Sequence, residues 1–300
     1  MLDAADVASR PEMRRGLTAD VGPLIGLRVS LSRSVWRIGP AWAVLAGALA
    51  SGAPLWGGAA LLRLVTAVGL ADGAWGAVWW LTAAGAAGSH REQGVTSFLP
   101  YAQPDAPLAH LAHGLRRMVS PGAHWHELLA GLALMTVLSI LLGRPALILS
   151  PVALLVILWG WVLVQRDLRP CLCYALLNIG LPWVLGTLLA GPGTLSAFSG
   201  RQIQGLWLAA AFTILQWGVQ RAQLVQRSRA RGVWLGGVAL IAVLIGLQQP
   251  GVLAVVAGLL LPPAWWLLEV RRAAGDRTGV LARCAPWWWG AMLLAAITLA

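Results

Sequence analysis

LLRLVTAVGLADGAWGAVWWLTAAGAAGSH, the stretch from Leu61 to His90, is apolar or small along most of its length and contains one acidic residue, Asp72. A helix needs about 20 mostly apolar residues to cross the hydrocarbon core of a bilayer. The stretch therefore predicts a membrane-spanning helix over residues 61–86. An ionisable residue inside such a helix is a candidate functional residue, because burying it in lipid is costly.

The composition of the whole chain leads to the same prediction. Of its 300 residues, 58% are hydrophobic and 11% are charged, whereas a soluble domain carries about 25% charged residues. The mean hydropathy is +0.73. We therefore expect an all-α integral membrane protein whose first partners are membrane lipids.

The net charge of +11 does not indicate nucleic-acid binding. All 22 basic residues are arginines, and they lie between long apolar runs rather than in one basic patch. Basic residues commonly flank membrane spans. We therefore expect no nucleic-acid partner.

Apolar runs bounded by Pro and Gly predict nine spans. They cover residues 38–57, 61–86, 124–142, 146–164, 171–190, 203–220, 233–248, 251–269 and 285–300. With this count, 19 of the 22 arginines fall on the face that carries the N-terminus. The positive-inside rule then predicts a cytoplasmic N-terminus and a C-terminus on the opposite side of a cell inner or plasma membrane. Residues 1–37 would form a cytoplasmic tail and interfacial segment, and residues 38–300 the transmembrane domain, with long cytoplasmic loops at 87–123 and 221–232.

Three stretches carry a resemblance to a known family. They are LRVSLSRSVWRIGPAWAVLAGALASG (Leu27–Gly52), LRRMVSPGAHWHELLAGLALMTVLSILLG (Leu115–Gly143) and VQRDLRPCLCYALLNIGLPWVLGTLLAG (Val164–Gly191). In their order and spacing they resemble the UbiA family of intramembrane prenyltransferases, of the chlorophyll synthase and quinone prenyltransferase type. The resemblance implies nine helices in a bundle around a central cavity.

The resemblance also implies two Asp-rich motifs, near the ends of the second and sixth spans, that hold Mg²⁺ against a prenyl diphosphate. In this chain the first region keeps only Asp72, and the second, Thr213–Gly232, contains no acidic residue. Arg227 there reverses the charge that a metal site needs. We therefore predict no catalytic residues, no metal site and no bound Mg²⁺.

Polar residues in and beside the predicted spans remain candidates for ligand binding. They are Asp72, Asn178, Gln216, Gln220, Gln223 and Arg227. The alternatives are structural: Asp72 would pair with a nearby arginine or face a polar interface, and Asn178 would hydrogen-bond between helices. Arg227 would then be an ordinary cytoplasmic flanking residue.

All five histidines lie between residues 90 and 126. His110, His113, His124 and His126 are candidate ligands for a pigment or a metal ion, although their spacing matches no strong metal motif. The alternative is a set of polar residues at the membrane interface. The three cysteines, Cys171, Cys173 and Cys284, have neither zinc nor redox spacing.

These observations predict a catalytically degenerate UbiA-like protein that binds an isoprenoid lipid, a quinone or a pigment. It would alternatively serve as an accessory or assembly subunit of a membrane complex, for example a photosynthetic one, with other membrane subunits as partners. A different hypothesis is an active prenyltransferase with a non-standard diphosphate site, which would transfer a prenyl group to an aromatic or tetrapyrrole acceptor. A small transporter is a third.

Overall fold

The computed structural model describes residues 39–52, 57–87, 125–165, 168, 170–191, 200–223, 227–246, 249–269 and 277–299. These residues form nine helical segments, and no strand occurs among them. The tail at 1–37 and most of the loop predicted at 87–123 lie outside the described residues.

The nine helices are labelled α1 to α9 in chain order. They are α1 (Gly39–Ala50), α2 (58–87), α3 (Trp125–Leu142), α4 (Arg144–Gln165), α5 (Cys171–Ala190), α6 (Gly200–Gln223), α7 (Arg227–Gly246), α8 (Pro250–Glu269) and α9 (Arg277–Ile297). Each coincides with one predicted span. Helices α7 and α9 begin earlier than predicted, at Arg227 and Arg277, because arginine favours helix although it lowers hydropathy. Helix α7 thus extends into the connection predicted at 221–232.

Three helical stretches among the described residues are long and apolar enough to cross a membrane. They are Gly58–Trp79, Arg144–Val164 and Cys171–Ala190. Shorter apolar stretches occur in α1, α3, α7, α8 and α9. Many large apolar side chains on these helices are exposed, among them Leu141 and Leu155. Apolar side chains on the outside of a bundle are expected where lipid replaces water.

The buried side chains form two apolar cores. One lies among α1, α5, α6, α7, α8 and α9, and it includes Trp183 stacked on Phe212 with ring centroids 6.0 Å apart. The other lies among α1, α2, α3, α4 and α5 and includes Trp75. Helices α1 and α5 contribute residues to both cores, so they connect the two halves of the bundle.

Glycines bring α1 and α5 into direct backbone contact. A Cβ atom at Gly186 would overlap the backbone oxygen of Val44, and one at Gly47 would overlap the backbone oxygen of Trp183. The Thr187 hydroxyl donates a hydrogen bond of 3.2 Å to the Gly47 carbonyl across the same contact. Close crossings of this kind between small residues are typical of membrane helices. At this level α1 and α5 leave no space between them for the central cavity that the family resemblance implies.

A second close contact joins α6 and α7. A Cβ atom at Gly218 would lie 2.7 Å from the backbone nitrogen of Trp234, and one at Gly237 would lie 2.8 Å from that of Leu215. The two glycines therefore hold this helix pair at a separation that no larger residue permits.

Helices α2, α3 and α4 are joined by a buried polar chain. The indole nitrogen of Trp75 donates to the Ser150 hydroxyl at 3.3 Å, and the Ser150 and Ser139 hydroxyls are 2.7 Å apart. Ser139 also donates to the Met135 carbonyl at 2.6 Å. A single residue, Gly143, links α3 to α4. Its φ of +82° lies in the left-handed region that glycine adopts readily and that commonly ends a helix.

Candidate functional site

Two helices of the bundle change their hydrogen-bond pattern where they approach each other. The segment Gly69–Trp75 of α2 and the segment Leu176–Gly180 of α5 are π-helical, and the two segments are in contact. The first contains Asp72 and the second contains Asn178. A π-helical turn inserts an extra residue and changes the direction of the side chains, and such turns are frequent at functional sites.

The Asp72 side chain is exposed, and among the side chains that the structure describes it is the one carboxylate. The four arginines with described side chains are Arg63, Arg144, Arg201 and Arg221, and none of them forms an ion pair with Asp72. The predicted pairing of Asp72 with a nearby arginine is therefore not observed within the described part of the chain.

Two aromatic side chains continue the site towards the C-terminal half of α2. The ring centroids of Trp79 and Tyr174 are 6.5 Å apart, with their planes tilted by 58°. The Trp79 ring lies directly against Gly160 of α4, where any larger residue would displace it. Neither Trp79 nor Tyr174 was predicted as a site residue, because nothing in the sequence reports a contact between positions so far apart in the chain.

The side of α2 that carries Asp72 is uncovered at two glycines. The opposite side of the helix is buried and includes Ala71, Ala74 and Trp75. A Cβ atom at Gly73 would meet no described atom within 4 Å, and one at Gly76 would meet only a backbone oxygen at 4.0 Å. We use the name "Asp72 groove" for the surface that Asp72, Gly73, Gly76, Trp79 and Tyr174 contribute to.

Asn178 lies on the other side of the α2–α5 contact, against α1. Its amide occupies the space beside Gly39, where a Cβ atom would lie 2.5 Å from Oδ1. Within the described residues its side chain forms no hydrogen bond, so the predicted alternative role between helices is not observed there. The amide is a half-buried polar group with unused donors and acceptors.

The predicted glutamines on α6 lie on the part of the helix that packs beside α5. Gln216 is 8% exposed and follows Thr213, whose hydroxyl lies beside Gly180 of α5. Gln220 is half-buried. No hydrogen bond from the side chain of either glutamine is found within the described residues. The structure thus places both glutamines on a helix adjoining the Asn178 turn, without showing contact with Asp72.

The remaining predicted residues are placed less completely. Gln223 is the last residue of α6, and Arg227 is the first residue of α7. Only their backbones are described, and their side chains lie outside the described residues. The neighbouring Arg221 stacks its guanidinium over the Trp217 ring at 4.8 Å. His110, His113 and His124 also lie outside the described residues, as does the His126 side chain, although its backbone begins α3.

The described residues contain no group of three His, Cys, Asp or Glu side chains close enough to hold a metal ion. Cys171 and Cys173 are buried and not joined in a disulfide. Magnesium needs oxygen ligands and usually takes one or two carboxylates together with substrate phosphates.

The described residues define an all-helical fold that contains three helical stretches long and apolar enough to cross a membrane. No family model, no curated protein and no solved structure matches this chain.

Proposed function

We propose that this chain is a membrane-embedded, UbiA-like protein without prenyltransferase activity, and that it binds an isoprenoid lipid, quinone or pigment in the Asp72 groove. The observation that carries the proposal is the position of Asp72: it is an exposed carboxylate on a π-helical turn of an otherwise apolar helical stretch, and that turn contacts the π-helical turn of α5. An ionisable group kept at such a position is costly unless a ligand uses it.

The same observation argues against diphosphate chemistry. A prenyl diphosphate brings several negative charges, and its departure as a leaving group needs metal ions or a cluster of cations to stabilise it. The groove offers one negative side chain and, within the described residues, no second carboxylate for a metal. Like charges in an apolar surrounding repel strongly. The binding role therefore accounts for Asp72 better than the transferase role does.

In this proposal the N-terminus is cytoplasmic and the nine helices all cross the membrane. The 19 arginines on one face support that orientation. Asp72 would then lie near the middle of the bilayer, because it occupies the central part of a helix that covers 58–87.

The proposal is tested by purifying the full-length protein in a mild detergent and identifying what accompanies it by absorption spectroscopy and mass spectrometry. We expect an isoprenoid, quinone or pigment in near-stoichiometric amount. A protein that elutes alone and colourless contradicts the proposal. Stoichiometric partner subunits without a small molecule would instead support an accessory role.

A prenyl-transfer assay on the same sample addresses the competing function. The assay contains a prenyl diphosphate and an aromatic acceptor, with and without Mg²⁺. We expect no turnover under either condition, and Mg²⁺-dependent turnover would establish the transferase.

A further inference from the structure

We propose that one ordered water molecule is bound at the end of the bundle where α6 and α8 begin and α7 and α9 end, and that it joins these helix ends through the side chains of Gln204, Gln249 and Thr298. The inference goes beyond the proposed function and does not depend on it. It rests on a small cavity and on the polar side chains that line that cavity.

The cavity is partly enclosed and lies between the helix ends. Gln204 belongs to the second turn of α6, and Leu244 and Ile245 belong to the last turn of α7. Gln249 lies in the connection between α7 and α8, and Thr298 follows the last residue of α9. The cavity volume is about 10 Å³, and one water molecule needs about 10–15 Å³. The space therefore suits one water and is too small for a quinone ring, a lipid head group or a hydrated ion.

The side chains around the cavity supply the hydrogen-bonding groups that a bound water requires. The Gln204 side chain is half-buried and forms no hydrogen bond within the described residues. The Gln249 amide donates one long hydrogen bond, 3.4 Å, to the Thr298 carbonyl. The Thr298 hydroxyl donates to the Ala295 carbonyl at 2.8 Å and keeps its own oxygen as an acceptor. A bound water needs about two to four polar partners, and these three side chains can provide them.

The floor of the cavity makes a partner for the amides valuable. Leu208 and Ile245 line it and are buried apolar side chains. A polar group placed against such a surface without a hydrogen bond costs free energy. A bridging water forms hydrogen bonds that are nearly as favourable as direct ones. One water between Gln204 and Gln249 therefore satisfies both amides at once.

Gln249 already connects two of the helices through its backbone. Its N–H donates to the Ile245 carbonyl at 2.8 Å, and its carbonyl accepts from the N–H groups of Val252 and Leu253, both at 3.1 Å. The end of α7 and the start of α8 thus meet at this residue. The water extends the same joint from Gln249 to Gln204 of α6 and to the end of α9 at Thr298.

The direct test is a crystal structure of the full chain, grown from a lipid phase, at a resolution that shows ordered water. We expect density in the cavity within about 2.7–3.2 Å of the Gln204 amide and of a polar atom of Gln249 or Thr298. A dry cavity, an acyl chain or detergent tail in it, or an ion revealed by anomalous scattering after exchange into a rubidium salt overturns the inference.

A pair of matched variants tests whether the water contributes to stability. Gln204→Met keeps the length of the side chain and removes its amide, and we expect the midpoint of thermal unfolding to fall by about 2 °C, as for the loss of one ordinary hydrogen bond in a chain of this size. In a dry cavity the same change would remove an amide without a partner, so the midpoint would stay or rise. Gln220→Met is the control, because Gln220 is also half-buried on α6 but does not line the cavity, and its midpoint should not fall.

The two measurements have to agree. Density in the cavity together with a fall for Gln204→Met alone supports the bound water. An unchanged or raised midpoint for Gln204→Met, or an equal fall for both variants, overturns it. Neither result bears on the ligand of the Asp72 groove, because no residue of that groove lines the cavity.

Discussion

Asp72 of α2 and Asn178 of α5 lie on two π-helical turns that are in contact with each other. Asp72 is the one charged residue of its turn, and Asn178 is the one amide side chain of the other. An ionisable side chain is costly within a membrane helix, and π-helical turns are frequent at functional sites. The two turns therefore motivate the proposed binding role.

Stability measurements can reveal this cost. We expect Asp72→Leu to raise the midpoint of thermal unfolding by about 2 °C, the shift that about 1 kcal/mol gives in a chain of this size. Removing an uncompensated polar group from an apolar surrounding accounts for the gain. The measurement is a thermal melt of ligand-free protein in detergent, with Asp72→Asn, which has the same shape without the charge, as the control. A fall in the midpoint for Asp72→Leu would indicate that Asp72 has a structural partner.

The close crossing of α1 and α5 predicts a steep sensitivity at its glycines. Gly186→Ala would place a Cβ atom against the Val44 backbone oxygen, and overpacking of this kind costs about 1–3 kcal/mol. We expect this loss to exceed the gain of about 1 kcal/mol in helix propensity. Gly290→Ala, in the interior of α9 with no described atom within 4 Å, should instead be neutral or stabilising. Equal melts for the two variants would contradict the crossing.

The serine chain between α2, α3 and α4 has a smaller expected effect. Ser150→Ala removes the acceptor of the Trp75 indole N–H and the partner of Ser139. A lost hydrogen bond and an unsatisfied buried donor cost about 1–3 kcal/mol. Thr136→Val on the exposed side of α3 is the control, since the Thr136 hydroxyl bonds only to its own helix. The denaturation midpoint of Ser150→Ala should fall clearly below that of Thr136→Val.

The proposed orientation is open to labelling from outside the cell. In a background without native cysteines, Gly57→Cys lies between α1 and α2, and Leu168→Cys lies between α4 and α5; both positions are exposed. A membrane-impermeant maleimide added to intact cells should label Gly57→Cys alone. Labelling of Leu168→Cys in intact cells would reverse the orientation, and both variants should react after the membrane is permeabilised.

The positions of the helices follow from the sequence because each apolar run ends at a Pro, a Gly or an arginine-bearing connection. The candidate site was predictable in part: Asp72 and Asn178 stand out as polar residues in apolar runs. The two π-helical turns were not predictable, because such a turn changes backbone hydrogen bonds without changing the hydrophobic pattern. The partner of each glycine, such as Val44 for Gly186, is likewise set by three-dimensional packing that hydropathy does not encode.

The most direct test of the central claim is the amount of isoprenoid, quinone or pigment bound per molecule in three purified samples. They are the natural protein, Gly76→Leu beside Asp72 on α2, and the control Gly236→Leu on α7, where an added side chain also meets open space. Mass spectrometry of the organic extract, normalised to protein, gives the ratio. A binding role in the Asp72 groove predicts near one ligand per molecule for the natural protein and for Gly236→Leu, and a strong loss for Gly76→Leu. An equal ligand content in all three samples, or none in the natural protein, would contradict it.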